Sequence, residues 1–232
     1  MNLITRLFLI IAVMGTVSFA ISNISVSRPS ANGKLDEVLA NMERTARTIK
    51  TIESDMRQEK RNMQIGGKEI YSGKIFFLHD KKCDKVRINY DNPQGQAVAV
   101  LCEEIDLYQP SINQMIVTSR RAQAAKNQEF SFIATPYKSV PELKSQYNIV
   151  YVGDEQVGNA ATAKLDLTPK GKSSVQKLTL WVDQSTWLPI KYQVTEKNSN
   201  VTTFSLSNLK KNQGLSVDFK IKVAPGTKSI RQ

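Results

Sequence analysis

The chain has 232 residues and carries 32 lysines and arginines against 21 aspartates and glutamates, a formal charge of +11. That length is enough for one domain with a real core, and the charge points to an anionic partner, either nucleic acid or a lipid headgroup surface. One histidine and two cysteines without CxxC spacing argue against a multi-histidine metal centre or a dithiol redox pair.

Met1 to Ala20 has the form of a secretion signal. Arg6 supplies the positive start, Leu7 to Val17 is apolar apart from Gly15 and Thr16, and Ser18-Phe19-Ala20 offers a cleavage triplet with small residues at both ends. From Leu7 to Ile21 is 15 residues, whereas a spanning helix needs about 20. Cleavage near Ala20 and residence in the periplasm are therefore expected, with an uncleaved anchor as the alternative. No cysteine follows the apolar run, so the protein is not itself expected to be lipidated. Exported proteins seldom meet nucleic acid, which turns the basic balance towards membranes or acidic partners.

Residues 21–32 are polar and irregular, a lead-in to a single domain over 33–232. Asn32 is a candidate cap for the helix that follows. In that helix Leu35, Val38, Leu39, Met42, Ala46 and Ile49 recur at three- and four-residue steps, and Lys34, Glu37, Arg44 and Arg47 take the opposite face. The period then changes to two. Ile52, Ser54 and Met56 alternate with Glu53, Asp55 and Arg57; Gln64 to Lys68 is a turn; Ile70 to His79 is a second strand.

Lys85–Tyr90 and Gln96–Leu101 form a hairpin around the turn-rich Asp91-Asn92-Pro93-Gln94-Gly95. Pairing Tyr90 near Gly95 sets the register so that Cys83 and Cys102 fall opposite each other. In an oxidising compartment such a pair reads as a structural disulfide. Ile105–Tyr108 and Met115–Thr118 flank another hairpin turn, Gln109-Pro110-Ser111.

Residues 120–148 interrupt the strands. Arg120 to Gln128 is compatible with a helix, and Ser139-Val140-Pro141-Glu142 is a helix start with capping-box spacing. Phe130, Phe132, Ile133 and Tyr137 lie between them, either in a functional lid or in a loop pinned by buried aromatics. Beyond, Leu178, Leu180 and Val182 alternate with polar or aromatic residues, as do Ile190, Tyr192 and Val194, then Phe204 and Leu206, then Val217, Phe219, Ile221 and Val223. Each set has one dry face and one wet face.

Ten or eleven antiparallel strands with two or three helices make a mainly β (α+β) protein. So large a sheet twists and curls into a barrel or half-barrel. One amphipathic helix and a short lid are too little to fill the concave face, which leaves an apolar hollow. Its candidate lining is Leu39, Met42, Ile75, Phe77, Val86, Ile88, Tyr90, Val98, Val100, Leu180, Val182, Ile190, Tyr192, Phe204 and Leu206, with His79, Phe130, Phe132 and Tyr137 at a lid or lip. Catalysis finds no support: His79 beside Asp80 has no placed nucleophile, and no HExxH, GxSxG or phosphate-binding glycine loop occurs. No cofactor and no metal site are indicated. Glu103, Glu104 and Asp106 read as a solvated face, and the basic pairs Lys81-Lys82, Arg120-Arg121 and Lys210-Lys211 are too scattered for a nucleic-acid groove.

The segment Lys177-Leu178-Thr179-Leu180-Trp181-Val182-Asp183 followed by Thr186-Trp187-Leu188-Pro189 resembles the outer-membrane lipoprotein carriers, the LolA-like proteins. Phe219 through Pro225-Gly226 is similar to that family's closing strand, and the order around Tyr71-Ser72-Gly73 also fits; the likeness runs from about Leu35 to Ile230. It implies an unclosed β-barrel with lid helices over an apolar cavity. It further implies a carrier or chaperone, a monomer in expectation, that receives the acyl chains of lipoproteins (or another lipid) from an inner-membrane ABC transporter and passes them to an outer-membrane receptor. A lipid-sensing or protein-interaction module on the same fold is the alternative. One departure concerns the lid. The better-known carriers have an Arg-Pro pair before the strand matching Val86–Tyr90, and here Lys82-Cys83 stands in its place. A lysine keeps the charge but loses the forked donor geometry.

Overall fold

Twelve strands form one sheet in a computed structural model that describes residues 31–121 and 139–232. The expected signal peptide and nearly all of the lead-in lie outside the described residues. So do most of the helix-compatible stretch after Arg120 and the lid candidates Phe130, Phe132 and Tyr137.

The elements run α1 (Ala31–Ala46), β1 (Thr51–Asn62), β2 (Gly67–His79), β3 (Asp84–Asn92), β4 (Ala97–Val100), β5 (Glu104–Gln109), a short 3-10 turn (Pro110–Ile112), β6 (Gln114–Ser119), α2 (Val140–Gln146), β7 (Tyr147–Val157), β8 (Ala160–Pro169), β9 (Val175–Asp183), β10 (Pro189–Glu196), β11 (Val201–Lys211) and β12 (Lys228–Arg231). The sheet order is β12-β6-β5-β4-β3-β2-β1-β11-β10-β9-β8-β7, antiparallel throughout except that β12 joins β6 in parallel. The end strands β7 and β12 do not pair, so the curved sheet stays unclosed. No helix among the described residues is long and apolar enough to cross a membrane.

The inward parity of each strand builds one core. Ile52 and Met56 of β1, Ile75 and Phe77 of β2, Val86, Ile88 and Tyr90 of β3, and Leu178, Leu180 and Val182 of β9 share a cluster with Val38, Leu39 and Met42 of α1 and Val140 and Leu143 of α2. Both helices thus lie in the concave face, each with its apolar stripe against the sheet. Helix α1 begins at Ala31, so Asn32 sits inside it rather than at its cap, a shift within the usual spread of helix ends. Helix α2 starts as its spacing predicts. Ser139 Oγ accepts from the Glu142 N–H, and the Glu142 carboxylate accepts from the Ser139 N–H.

The cysteines are bridged, with Cα atoms 5.5 Å apart. The register behind that pairing differs by one residue from the expected one. Val86 faces Val100 and Ile88 faces Val98, because Tyr90 donates to the Gln96 carbonyl and not to that of Gly95. Both cysteines lie past the last ladder pair, where the two turns can still meet.

The strand expected over Val217–Val223 does not form. Its alternation is present in burial, with Leu215, Val217 and Phe219 half-buried and Ile221 buried. The free edge of β6, however, is occupied by β12. The segment instead crosses the convex face as a strap, where Ile221 packs on Ala97 and Ala99 of β4 and Met115 and Val117 of β6. This explains why β4 is buried on both sides.

Under the strap lie two charges that do not meet. Arg87 and Asp106 flank the small Ala99 in the ladder, and Arg87 Nη1 and Asp106 Oδ1 are buried without a hydrogen-bond partner. Burial, aided by Glu104, raises the Asp106 carboxyl above its ordinary value. A carboxyl with a raised folded-state pKa adds stability below its ordinary value of 3.8 and loses that contribution as pH climbs through the raised one. The ionised form is thus a cost at neutral pH. Asp106→Asn is expected to stabilise the fold by about 1 kcal/mol at pH 7, with the gain disappearing near pH 4, as measured by thermal unfolding at both values.

Candidate functional site

An apolar cavity of about 350 Å³ opens at one end of the concave face. Its floor comes from the end of α1 and the segment after it (Met42, Ala46, Ile49), from Ile52 and Phe77, and from the β9–β10 turn (Trp187, Leu188, Pro189). Its rim is polar, with Glu43, Arg47, His79, Asp84, Ser139 and Glu142. The volume is at the low end of the range for small-molecule sites, about 300–1,000 Å³.

The β9–β10 turn is built to place Trp187. The Asp183 carboxylate accepts from the Ser185 N–H at 2.8 Å and the Thr186 hydroxyl at 2.9 Å, and the Asp183 carbonyl accepts from the Trp187 N–H at 2.7 Å. Trp187 is thereby held at φ 58°, a left-handed conformation that bulky residues rarely adopt. Such strain persists only where the surroundings over-determine it, and it clusters at ligand sites. Helix α1 is tied to this turn by the Thr45 hydroxyl, which donates to the Thr186 carbonyl.

Glu43 joins the two helices. Its carboxylate accepts from the Val140 N–H at the start of α2 (2.8 Å) and from Arg47 Nε (3.0 Å). The backbone bond to Val140 is the chief reason its pKa falls below the usual carboxylate range. His79 bonds Asp84 across the rim, Nδ1 to Oδ1 at 2.7 Å, and not its sequence neighbour Asp80. Asp80 pairs with Lys85 instead. Lys82, in the place of the family's arginine, is exposed and does not line the cavity.

Of the residues expected in the hollow, Met42 and Phe77 line this cavity, and His79 is at its rim. Leu39, Ile75, Val86, Ile88, Tyr90, Val98, Val100, Leu180, Val182, Tyr192, Phe204 and Leu206 are buried in the core cluster, which also holds side chains of α1 and α2. Tyr192 and Phe204 stack there with ring centres 4.6 Å apart. Ile190 departs from the expected pattern. A bulge between Pro189 and Lys191 takes it out of the ladder, so it is half-buried and outside the core. Most of the expected lining is thus buried in the core, and open space is found at the mouth and at a second opening beside the β7–β8 and β9–β10 turns, which Ile190 and Leu206 line. Glu43, Ile49, Ile52, Trp187 and Leu188 were not among the expected lining residues. The Thr186-Trp187-Leu188-Pro189 stretch carried a signal for two of them, an aromatic and a leucine in an otherwise polar turn.

A family model described as outer membrane lipoprotein carrier protein LolA matches residues 47–222. An uncharacterised conserved protein of Thermus thermophilus superposes with a TM-score of 0.55 at 11% identity, over 86% of this chain and 99% of its own. The MucA/MucB complex of Pseudomonas aeruginosa contains a chain that matches with a TM-score of 0.50 at 16% identity, over 82% of this chain and 63% of that one. At these identities the structural likeness carries the fold alone. No curated protein matches the chain.

Proposed function

This chain belongs to the outer membrane lipoprotein carrier protein LolA family, and from that premise we propose that it is an exported periplasmic carrier that shelters acyl chains, of lipoproteins or another lipid, under helix α1. Residues 1–20 direct export and are removed near Ala20. Donor and acceptor are an inner-membrane ABC transporter and an outer-membrane receptor. The observation that supports this reading most is the apolar cavity beneath the C-terminal half of α1, open at the mouth and continuous with apolar side chains that α1 itself covers.

The energies suit exchange. Each sheltered methylene is worth about 0.8 kcal/mol, so a chain of roughly 16 carbons gains about 12 kcal/mol. The same chain displaces Val38, Leu39 and Met42 of α1 from the core, which costs about 5–9 kcal/mol at 1.5–3 kcal/mol for each side chain. The difference, about 3–7 kcal/mol, corresponds to dissociation constants from several millimolar to just under about 10 micromolar. A carrier that must release its cargo works in that range; a preformed empty trough would hold the chain too tightly.

Filling the mouth tests this directly. Ala46 is half-buried and lines the cavity. Ala46→Trp is expected to weaken binding of a fluorescent fatty-acid probe by about tenfold or more, with little change in melting temperature. A wild-type protein, delipidated, that binds no acyl probe would contradict the proposal. A second reading, an envelope module that binds a protein segment, is favoured by the likeness to a MucA/MucB complex. Native mass spectrometry of protein purified from its own envelope separates the two by the mass of what co-purifies.

A further inference from the structure

Three of the large apolar side chains that the described surface exposes are gathered at one place, the free end of the β1–β2 hairpin. Ile65 is 81% exposed, Met63 59% and Ile70 43%. Their exposure is built in. Asn62 Oδ1 accepts from the N–H groups of Gln64 and Ile65, Asn200 Oδ1 accepts from that of Met63, and Gly66 turns the chain at φ +72°. On its β3 side the tip also projects, although β11 runs beside β1 as far as Arg61. Strand β2 pairs with β3 only from Ser72 onwards, which leaves residues 67–71 beyond that ladder.

Cations outnumber carboxylates around this apolar tip, where Glu69 and Glu196 also stand beside Lys60 and Arg61. Arg57, Arg61 and Lys68 all pair with the carboxylate of Glu59, three positive charges on one negative, and Lys60 lies over the Tyr71 ring. Glu59 is held at about 2 by these partners, led by Arg61. The charge pattern is therefore constant across physiological pH. An apolar wedge ringed by lysine and arginine, on a chain of net charge +11, matches the two signals of reversible membrane attachment, apolar insertion and attraction to anionic headgroups.

We infer that the β1–β2 tip, Asn62–Lys68 with Ile70, docks on an anionic phospholipid surface. Ile65 and Met63 enter the headgroup layer, and Lys60, Arg61 and Lys68 meet phosphates. Ile52, at the other end of β1, lines the cavity. Ten residues of strand separate it from the tip, about 30 Å. The docked protein thus presents its mouth away from the bilayer, towards a partner.

Co-sedimentation of the full mature chain with vesicles tests the inference. The wild type is expected to partition onto phosphatidylcholine vesicles that contain phosphatidylglycerol more than onto phosphatidylcholine alone, and less at high salt. Met63→Ser with Ile65→Ser is expected to reduce that partition by about tenfold or more. Arg61→Gln with Lys68→Gln reduces it independently, and both variants keep the wild-type melting temperature because Met63, Ile65, Arg61 and Lys68 are all exposed. Ala46→Trp leaves it unchanged, since the cavity is not the contact. A wild type that ignores phosphatidylglycerol, or a Met63/Ile65 variant that binds as well as wild type, would overturn the inference. Failure of acyl binding in the cavity would leave it standing.

Discussion

Gly73→Ala is expected to destabilise the protein by about 3–4 kcal/mol, an unusually large effect for a single added methyl group. Gly73 is in the middle of β2, between Met56 of β1 and Tyr90 of β3. A β-carbon there would collide with the Asn89 carbonyl oxygen and come within 2.8 Å of the Tyr90 Cα. Both obstacles are backbone atoms of a strand paired on both sides, so neither can swing away as a side chain would. The close approach coincides with a register shift between Ser72 and Gly73, and such irregularities bend a sheet. The residue is thus needed where the sheet curls towards its helices. Thermal unfolding should show a fall of about 10 °C. A melting temperature within about 2 °C of wild type would mean that the strands are not this close.

Loss of the disulfide ranks second. The bridged cysteines are 19 residues apart, and closing a loop of that length removes unfolded-chain entropy worth about 3 kcal/mol. Cys83→Ser with Cys102→Ser is expected to lose that amount in denaturant unfolding, and reductant on the wild type should give the same loss. The bridge also bears on the site. Cys83 immediately precedes Asp84 at the cavity rim, and Cys102 is in the turn after β4, so the bond pins two neighbouring turns at the mouth. Acyl-probe binding by the variant should weaken as well. Unfolding that does not respond to reductant would contradict this account.

How far these features can be read from the residues varies from element to element. The α1 stripe and the alternation of Ile52, Ser54 and Met56 place a helix and a strand correctly, because each buries one face against a single partner surface. Strands β7 and β8 have no counterpart among the expected strands. In β7, Tyr147, Ile149 and Tyr151 face the core, but Val150 and Val152 are exposed on the other parity, and a shift before Gly153 breaks the period. Apolar residues on both parities leave no alternation to detect. The strap fails in the opposite way. Val217 to Val223 alternates as a strand does, yet a strand also needs a free edge to pair with, and residues far away decide that.

The site is harder to read than the fold. Which inward side chains face empty space depends on how far α1 and α2 fill the concave face, a long-range packing outcome that no local period encodes. Met42 and Phe77 were legible because they belong to periodic elements. Glu43 was not, because its role depends on meeting the Val140 N–H 97 residues away. Trp187 owes its place to the turn that Asp183 organises rather than to hydropathy.

Carriage of an acyl chain requires α1 to yield to its cargo. Hydrogen exchange of α1, measured with and without a bound 16-carbon fatty acid, tests that most directly. The amides around Val38 to Met42 should exchange faster when the acyl chain is bound, while the strands beneath keep or gain protection. If the fatty acid binds and α1 is as protected as before, the acyl chain does not take the helix's place, and the carrier mechanism described here is wrong.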